Sequence, residues 1–366
     1  MTRLPPLQSL PSAARWSVLL AASIAVTALL QWGKLPAAFL LGPAAAALMV
    51  QTRGGGVIVP RFSLIAAQAV LGCLVAHTIT PSIVDGFLHH WLAVLGVLAL
   101  SVTASIVIGW VMGRFHIIPG STPIWGMLPG GATVMMVMAE AYGADFRLVA
   151  FMQYLRVVLV AAAGSLLALY VAHGGSGRFA NGYFPPVDAV AAMATVVLAL
   201  VGAWLGFVFR IPAGALMGPL ALGGVLNALG LVTIELPPIV LIASFAVIGW
   251  NVGLRFTRDV LAAAARALPQ TVGAITLLMM VCGLLAWMLV EFLHVDPLTA
   301  YLATSPGGVD AAAIISASTN VDMPFVMALQ TTRLVVLIVI GPPLARWAAR
   351  MLDRGSPRPQ DSAKID

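Results

Sequence analysis

Charge is what this chain lacks. Of its 366 residues only 9% are Asp, Glu, Lys or Arg, against 61% apolar, where a soluble domain carries roughly 25% charged residues. So sparse a polar complement excludes a water-facing globule, because no core of this size absorbs that much apolar surface. Cysteine is nearly absent as well. Cys73 and Cys282 both lie inside apolar stretches, which excludes a disulfide framework and leaves them as small packing residues. The six histidines (77, 89, 90, 116, 173 and 294) fall mostly at the ends of apolar runs. His89-His90 reads as an interfacial pair, and no His, Cys or Glu set has metal-ligand spacing. The methionines at 127, 135, 136, 138 and 152 read as helix packing. No nucleotide loop, nucleophile elbow or zinc motif occurs. No cofactor is therefore expected, and enzyme chemistry is not the reading. The net charge of +6 is carried by residues between apolar runs, where it orients a membrane protein. No compact basic domain remains to hold nucleic acid.

What is abundant is apolar sequence, with a mean hydropathy of +1.01, together with 35 glycines and 24 prolines. That combination suits packed and interrupted transmembrane helices. The run at 17–31 follows Arg15 and resembles the apolar part of a signal peptide. Its counterpart at about 187–209 cannot be one, so the first span is expected to be retained.

The chain is duplicated. Shifted by 177 residues, Gly72 falls on Gly249, and Pro129-Gly130-Gly131 on Pro306-Gly307-Gly308. Asp145 then falls on Asp322, Gln153 on Gln330 and Arg156 on Arg333. Shifted by 176, "LPAAFLLGP" (35–43) falls on "IPAGALMGP" (211–219). Rare residue types repeating in order mark two homologous halves. The halves are read as 1–176 and 177–348, with a tail at 349–366 placed in the cytoplasm and expected to be disordered.

Each half holds five candidate spans and one odd piece. The spans lie near 16–32, 35–51, 61–79, 90–113 and 147–172, then near 188–209, 211–230, 237–254, 268–291 and 324–348. The odd pieces, 118–142 and 295–319, carry the Pro-Gly-Gly segments. Charge decides whether they cross. If they enter and return on one side, fifteen of the 19 Lys and Arg residues share a face. Only Lys34 and Arg178 lie opposite, and Arg156 and Arg333 stay inside the membrane. Full crossing would destroy most of that asymmetry. The positive-inside rule thus predicts re-entrant pieces and cytoplasmic termini. Five crossings per half also give the halves opposite orientations, the architecture of secondary transporters. The expected fold is an all-α polytopic membrane protein of two inverted repeats.

Certain residues stand out against that background. Pro129 and Pro306 stop helices. Gly130, Gly131, Gly307 and Gly308 permit left-handed or closely approached backbone, which survives at membrane depth only when buried or lining a wet cavity. Such a segment either binds a ligand at a restarted helix N-terminus or is a plain turn. Arg156 and Arg333 lie about ten residues into their spans, ~15 Å deep in a ~30 Å core. Gln153 and Gln330 share their helix faces. Two roles stay open for each pair: a clamp for an anion, or capping of carbonyls in the re-entrant piece, with or without an acid partner. Asp145 and Asp322 precede long spans as N-caps or ion ligands. Asp310, standing where the first half has Thr133, is the candidate for a proton, a cation or an arginine counter-charge. Glu140 is a weaker one. The partners implied are the bilayer and a small molecule or ion, and a homo-oligomer is compatible with them.

The runs "MLPGGATVMMVMAEAYGADFRLVAFMQYLRV" and "SPGGVDAAAIISASTNVDMPFVMALQTTRLVV", with "IGWNVGLRF" (248–256), resemble the two signature regions of the AbrB family of bacterial membrane proteins. The resemblance implies membership, duplication and an inner-membrane location. It also brings conflicting labels: ammonia monooxygenase, and regulator of gene expression. It supplies no site residues. The monooxygenase label requires a redox metal that no ligand cluster here would hold. The regulator label requires an output surface.

Overall fold

The computed structural model describes residues 11–33, 35, 37–77, 91–118, 120–129, 135–136, 139–140, 142–171, 188–211 and 213–355. Among these the chain is helical, without strands. The helices of the first half are α1 (Ser12–Trp32), α2 (Ala38–Thr52), α3 (Arg61–Ala76), α4 (Trp91–Arg114), α5 (Thr122–Met127) and α6 (Phe146–Val171). The second half has α7 (Ala189–Val208), α8 (Gly214–Ala228), α9 (Pro238–Gly253), α10 (Arg258–Ala264), α11 (Leu268–Leu293), α12 (Pro297–Thr304), α13 (Val309–Ala317) and α14 (Met323–Gly355). All ten expected spans are helices. Among the described residues five stretches are long and apolar enough to cross a membrane: Ser12–Trp32, Leu95–Arg114, Phe146–Tyr170, Ala189–Val208 and Leu268–Leu293. The chain is thus a membrane-like helical protein.

The short helices have a different character. α2, α3, α8 and α9 are 15 or 16 residues long, ~22–24 Å at 1.5 Å per residue. They carry fewer exposed large apolar side chains than α1, α4, α7 and α11. On α7, Val190, Met193, Val197, Leu200 and Trp204 are all exposed, which fits a lipid-facing surface and not a water-facing one. Local chemistry sets several helix starts. Asp188 accepts from the Val190 amide at 2.9 Å, and Thr257 from Val260 at 3.3 Å. Proline opens α9 and α12, where a missing N–H costs nothing.

The duplication appears as contacts made twice with the halves exchanged. α3 crosses α8 at Gly72, where a Cβ would lie 3.1 Å from Pro219 Cβ. α9 crosses α2 at Gly249, where a Cβ would lie 3.2 Å from Pro43 Cβ. A Cβ on Gly164 of α6 would meet Ile315 of α13 at 3.2 Å, and one on Gly341 of α14 would meet Met135 at 3.5 Å. Each half therefore leans on the other's odd piece.

The structure adds two details to that reading. α14 continues to Gly355, beyond the boundary at 348, because Ala348, Ala349, Arg350, Met351 and Leu352 are all strong helix formers; the structure thus replaces a tail disordered from 349 with two further helical turns. The second glycine pair does not use left-handed backbone. Gly308 has φ −82°, and neither glycine is among the positive-φ residues. At Gly307 the need is space, since a Cβ there would lie 2.9 Å from Val160 Cγ1 on α6. Gly130 and Gly131 lie outside the described residues.

Candidate functional site

The second odd piece is two short helices separated by a break. Asp296 caps α12, accepting from Leu298 at 3.1 Å and Thr299 at 3.0 Å. The helix stops at Ser305, whose ψ of 138° is extended, and resumes after Gly308, with ψ 153°. Ser305, Pro306 and Gly307 are buried, so the carbonyls released by the break cannot turn to solvent.

Gln330 and Arg333 of α14 satisfy them. Gln330 Nε2 donates to Leu302 O at 2.7 Å and Ser305 O at 3.2 Å. Arg333 Nη1 donates to Ser305 O at 2.6 Å, and Nη2 to Gly307 O at 2.8 Å and to Gln330 Oε1. α6 repeats the arrangement. Gln153 Nε2 donates to Trp125 O at 3.0 Å and Leu128 O at 2.9 Å. Arg156 Nη1 donates to Met127 O at 3.1 Å, and Nη2 to Gln153 Oε1 at 2.7 Å. In both halves the glutamine reaches back 28 and 25 residues. Each pair fastens a broken helix by supplying the donors that an unbroken one would have provided. Both arginines are 3% exposed, and each keeps a buried Nε without a hydrogen-bond partner.

A further bond closes each odd piece. The Asp145 amide donates to Thr122 Oγ1 at 3.2 Å, and the Asp322 amide to Thr299 Oγ1 at 3.1 Å. The start and end of each piece are therefore neighbours. Both aspartate side chains act as caps. Asp145 accepts from Arg147 at 2.9 Å and Leu148 at 3.3 Å, and Asp322 accepts from Phe325 at 3.0 Å. Both, like Glu140, are exposed, away from the breaks.

Pro129, just past the end of α5, and the break between α12 and α13 meet at one cavity of about 420 Å³. Pro129, Gln153 and Arg156 line it from the first half, and Gly307, Gly308, Asp310 and Gln330 from the second. Arg333 is not among the lining residues and sits on the carbonyls of Ser305 and Gly307. Gln68 of α3, Asn251 of α9 and Arg255 complete the polar lining. Gln68 and Asp310 line the cavity together, and Arg255 lies 5.9 Å from the Tyr154 ring centre. Sequence reasoning passed over these three. None is repeated in the other half, so the duplication did not mark them. The available signal was a lone amide in an apolar run, Gln68 in "IAAQAVL" and Asn251 in "IGWNVGL". Among the described residues no three His, Cys, Asp or Glu side chains gather as a metal site would require.

The paired breaks, fastened alike in both halves, coincide with the segments on which the family resemblance rests. The family model described as "Transition state regulatory protein AbrB" matches residues 39–349. "Putative regulator AbrB" of Escherichia coli (strain K12) is 43% identical over 316 residues, spanning 86% of this chain and 90% of the relative. "Uncharacterized protein YhjN" of Bacillus subtilis (strain 168) is 23% identical over 297 residues, spanning 76% and 77%. A match that takes in both breaks, both Gln-x-x-Arg pairs and every cavity-lining element places this chain in the AbrB family.

Proposed function

We propose that the chain is a secondary transporter of a small substrate, seated in the bacterial inner membrane with both termini in the cytoplasm. The observation that carries the reading is the cavity lined by Pro129, just past the end of α5, and by the interrupted helix α12–α13 of the second half. Interrupted helices meeting near the midplane at a repeat interface are how such transporters build substrate sites. The reciprocal crossings at Gly72 and Gly249 fit a two-fold relation between halves, since a two-fold axis makes each contact occur twice with the partners exchanged. The bonds joining Thr122 to Asp145 and Thr299 to Asp322 support re-entrant pieces, which leave ten crossings and halves of opposite orientation.

In this reading Gln153, Arg156, Gln330 and Arg333 hold the breaks open to the cavity. Asp310, Gln68 and Asn251 face the substrate. Solute flux into proteoliposomes of the purified chain, with and without an imposed ion gradient, tests the proposal. Gradient-driven uptake abolished by Asp310→Ala is the expected outcome, and no flux for any solute class defeats it.

The name of the Escherichia coli relative favours a second reading, a membrane-embedded regulator. The two separate in cells. A flux-dead Asp310→Ala chain that still restores gene expression in a deletion strain supports regulation, and parallel loss of both supports transport.

A further inference from the structure

We infer that the cavity is built for an organic anion carrying a single negative charge, a small monocarboxylate. The inference rests on the reading of this cavity as the substrate site and adds the class of substrate it takes. The charges around the cavity are unequal. Arg156 and Arg333 are both 3% exposed, and among the described lining residues Asp310 is the one carboxylate. Arg255, the remaining charged group of the lining, is exposed and lies against the Tyr154 ring, so solvent screens it. The set is two buried guanidinium charges against one half-buried carboxylate. Backbone carbonyls solvate the guanidiniums without neutralising them, and an unbalanced charge in an apolar interior is costly. One negative charge on the ligand closes the balance.

The start of α13 offers the landing place. α13 starts at Gly308 without a side-chain cap, and Gly307, Gly308 and Val309 form the cavity wall. Its first-turn N–H groups are free to bind an anion. Arg156, a buried residue of the same lining, has an Nε without a hydrogen-bond partner. Asp310, in the first turn of α13, shares that end and repels a second carboxylate, so dianions are rejected. A zwitterion would set its ammonium on Asp310 but leave the positive excess in place. The volume of about 420 Å³ falls in the ~300–1,000 Å³ range of small-molecule pockets. The apolar part of the lining, with Leu40, Leu64 and Ile248, accepts a hydrocarbon chain.

The test is thermal stabilisation of the full purified chain in detergent, in alkaline buffer. The probes are straight-chain acids from propionate to octanoate, with the matching dicarboxylates, amides and ω-amino acids. We expect a monocarboxylate to bind best, and Asp310→Asn to shift the ratio of dicarboxylate to monocarboxylate affinity upward by about tenfold, one decade being a modest share of a charge–charge interaction at this depth. The inference is overturned if the wild-type chain prefers a dianion, a zwitterion or an amide, if it binds none of the series, or if Asp310→Asn leaves the ratio unchanged. Should Asp310→Asn not fold, the wild-type ranking alone decides. Monocarboxylate binding without flux removes the transport reading and leaves this one. Flux of a neutral or cationic solute without monocarboxylate binding does the reverse.

Discussion

At the scale of single residues, the arginines are decided by what their N–H groups touch. Arg333 serves the Ser305 and Gly307 carbonyls and Gln330 Oε1. Arg333→Ala strands these acceptors, at about 1–3 kcal/mol for each buried group left unpaired, offset in part by relief of the buried charge. The ligand-free protein should therefore melt several degrees lower. Arg333→Lys should fall between, because a point charge cannot reproduce the planar fork. A ligand-free melting temperature unchanged by Arg333→Ala would defeat the fastening role. The Gln-x-x-Arg pattern was legible because it repeats and because arginine is rare in apolar sequence. Its partners were not legible, since the acceptors are backbone carbonyls, which every residue carries. Asp145 and Asp322 were readable as caps for the opposite reason, because a cap acts within its own turn. Asn251 was present in a quoted run yet unmarked, as nothing local distinguishes a cavity-facing amide from one turned elsewhere.

At the scale of elements, the short helices depend on close backbone approach. At Gly72 and Gly249 an added Cβ meets backbone and a proline ring, which cannot swing aside. At Gly273 on α11 it meets nothing within 4 Å. Gly72→Ala and Gly249→Ala should each lower the melting temperature or the amount of folded protein recovered from membranes. Gly273→Ala should be neutral or slightly stabilising, since alanine is the better helix former by about 1 kcal/mol. Equal effects at all three positions would show that helix propensity, not the crossing, governs them. The same physics explains which parts of the fold the sequence displayed. Spans were visible as apolar runs, and all ten are helices. Their ends were less visible, as at α14, where good helix formers carry the helix past the apolar stretch. The pairing of α3 with α8 and α9 with α2 was hidden, because a glycine states that something comes close without stating what.

At the scale of the whole molecule, the question is which side each loop faces. α12 and α13, with 8 and 9 residues, are ~12 and ~14 Å long, each well short of a ~30 Å core. Joined end to end through the break they would reach across; folded back they would not. The bond from the Asp322 amide to Thr299 ties the end of the pair to its start, so the fold-back is expected. Between the basic loop holding Arg255, Arg258 and Arg266 and the arginines at 346 and 350, only α11 and α14 then cross, and both basic segments share a side. Reporter fusions after Arg266 and at the C-terminus should therefore give the same cytoplasmic signal, and a fusion between residues 172 and 187 the opposite one. A C-terminal reporter active only outside the cytoplasm would mean that the odd piece crosses. The inverted relation between the halves would fall with it, because six crossings in a half return the chain to the side it left and both halves would then point the same way.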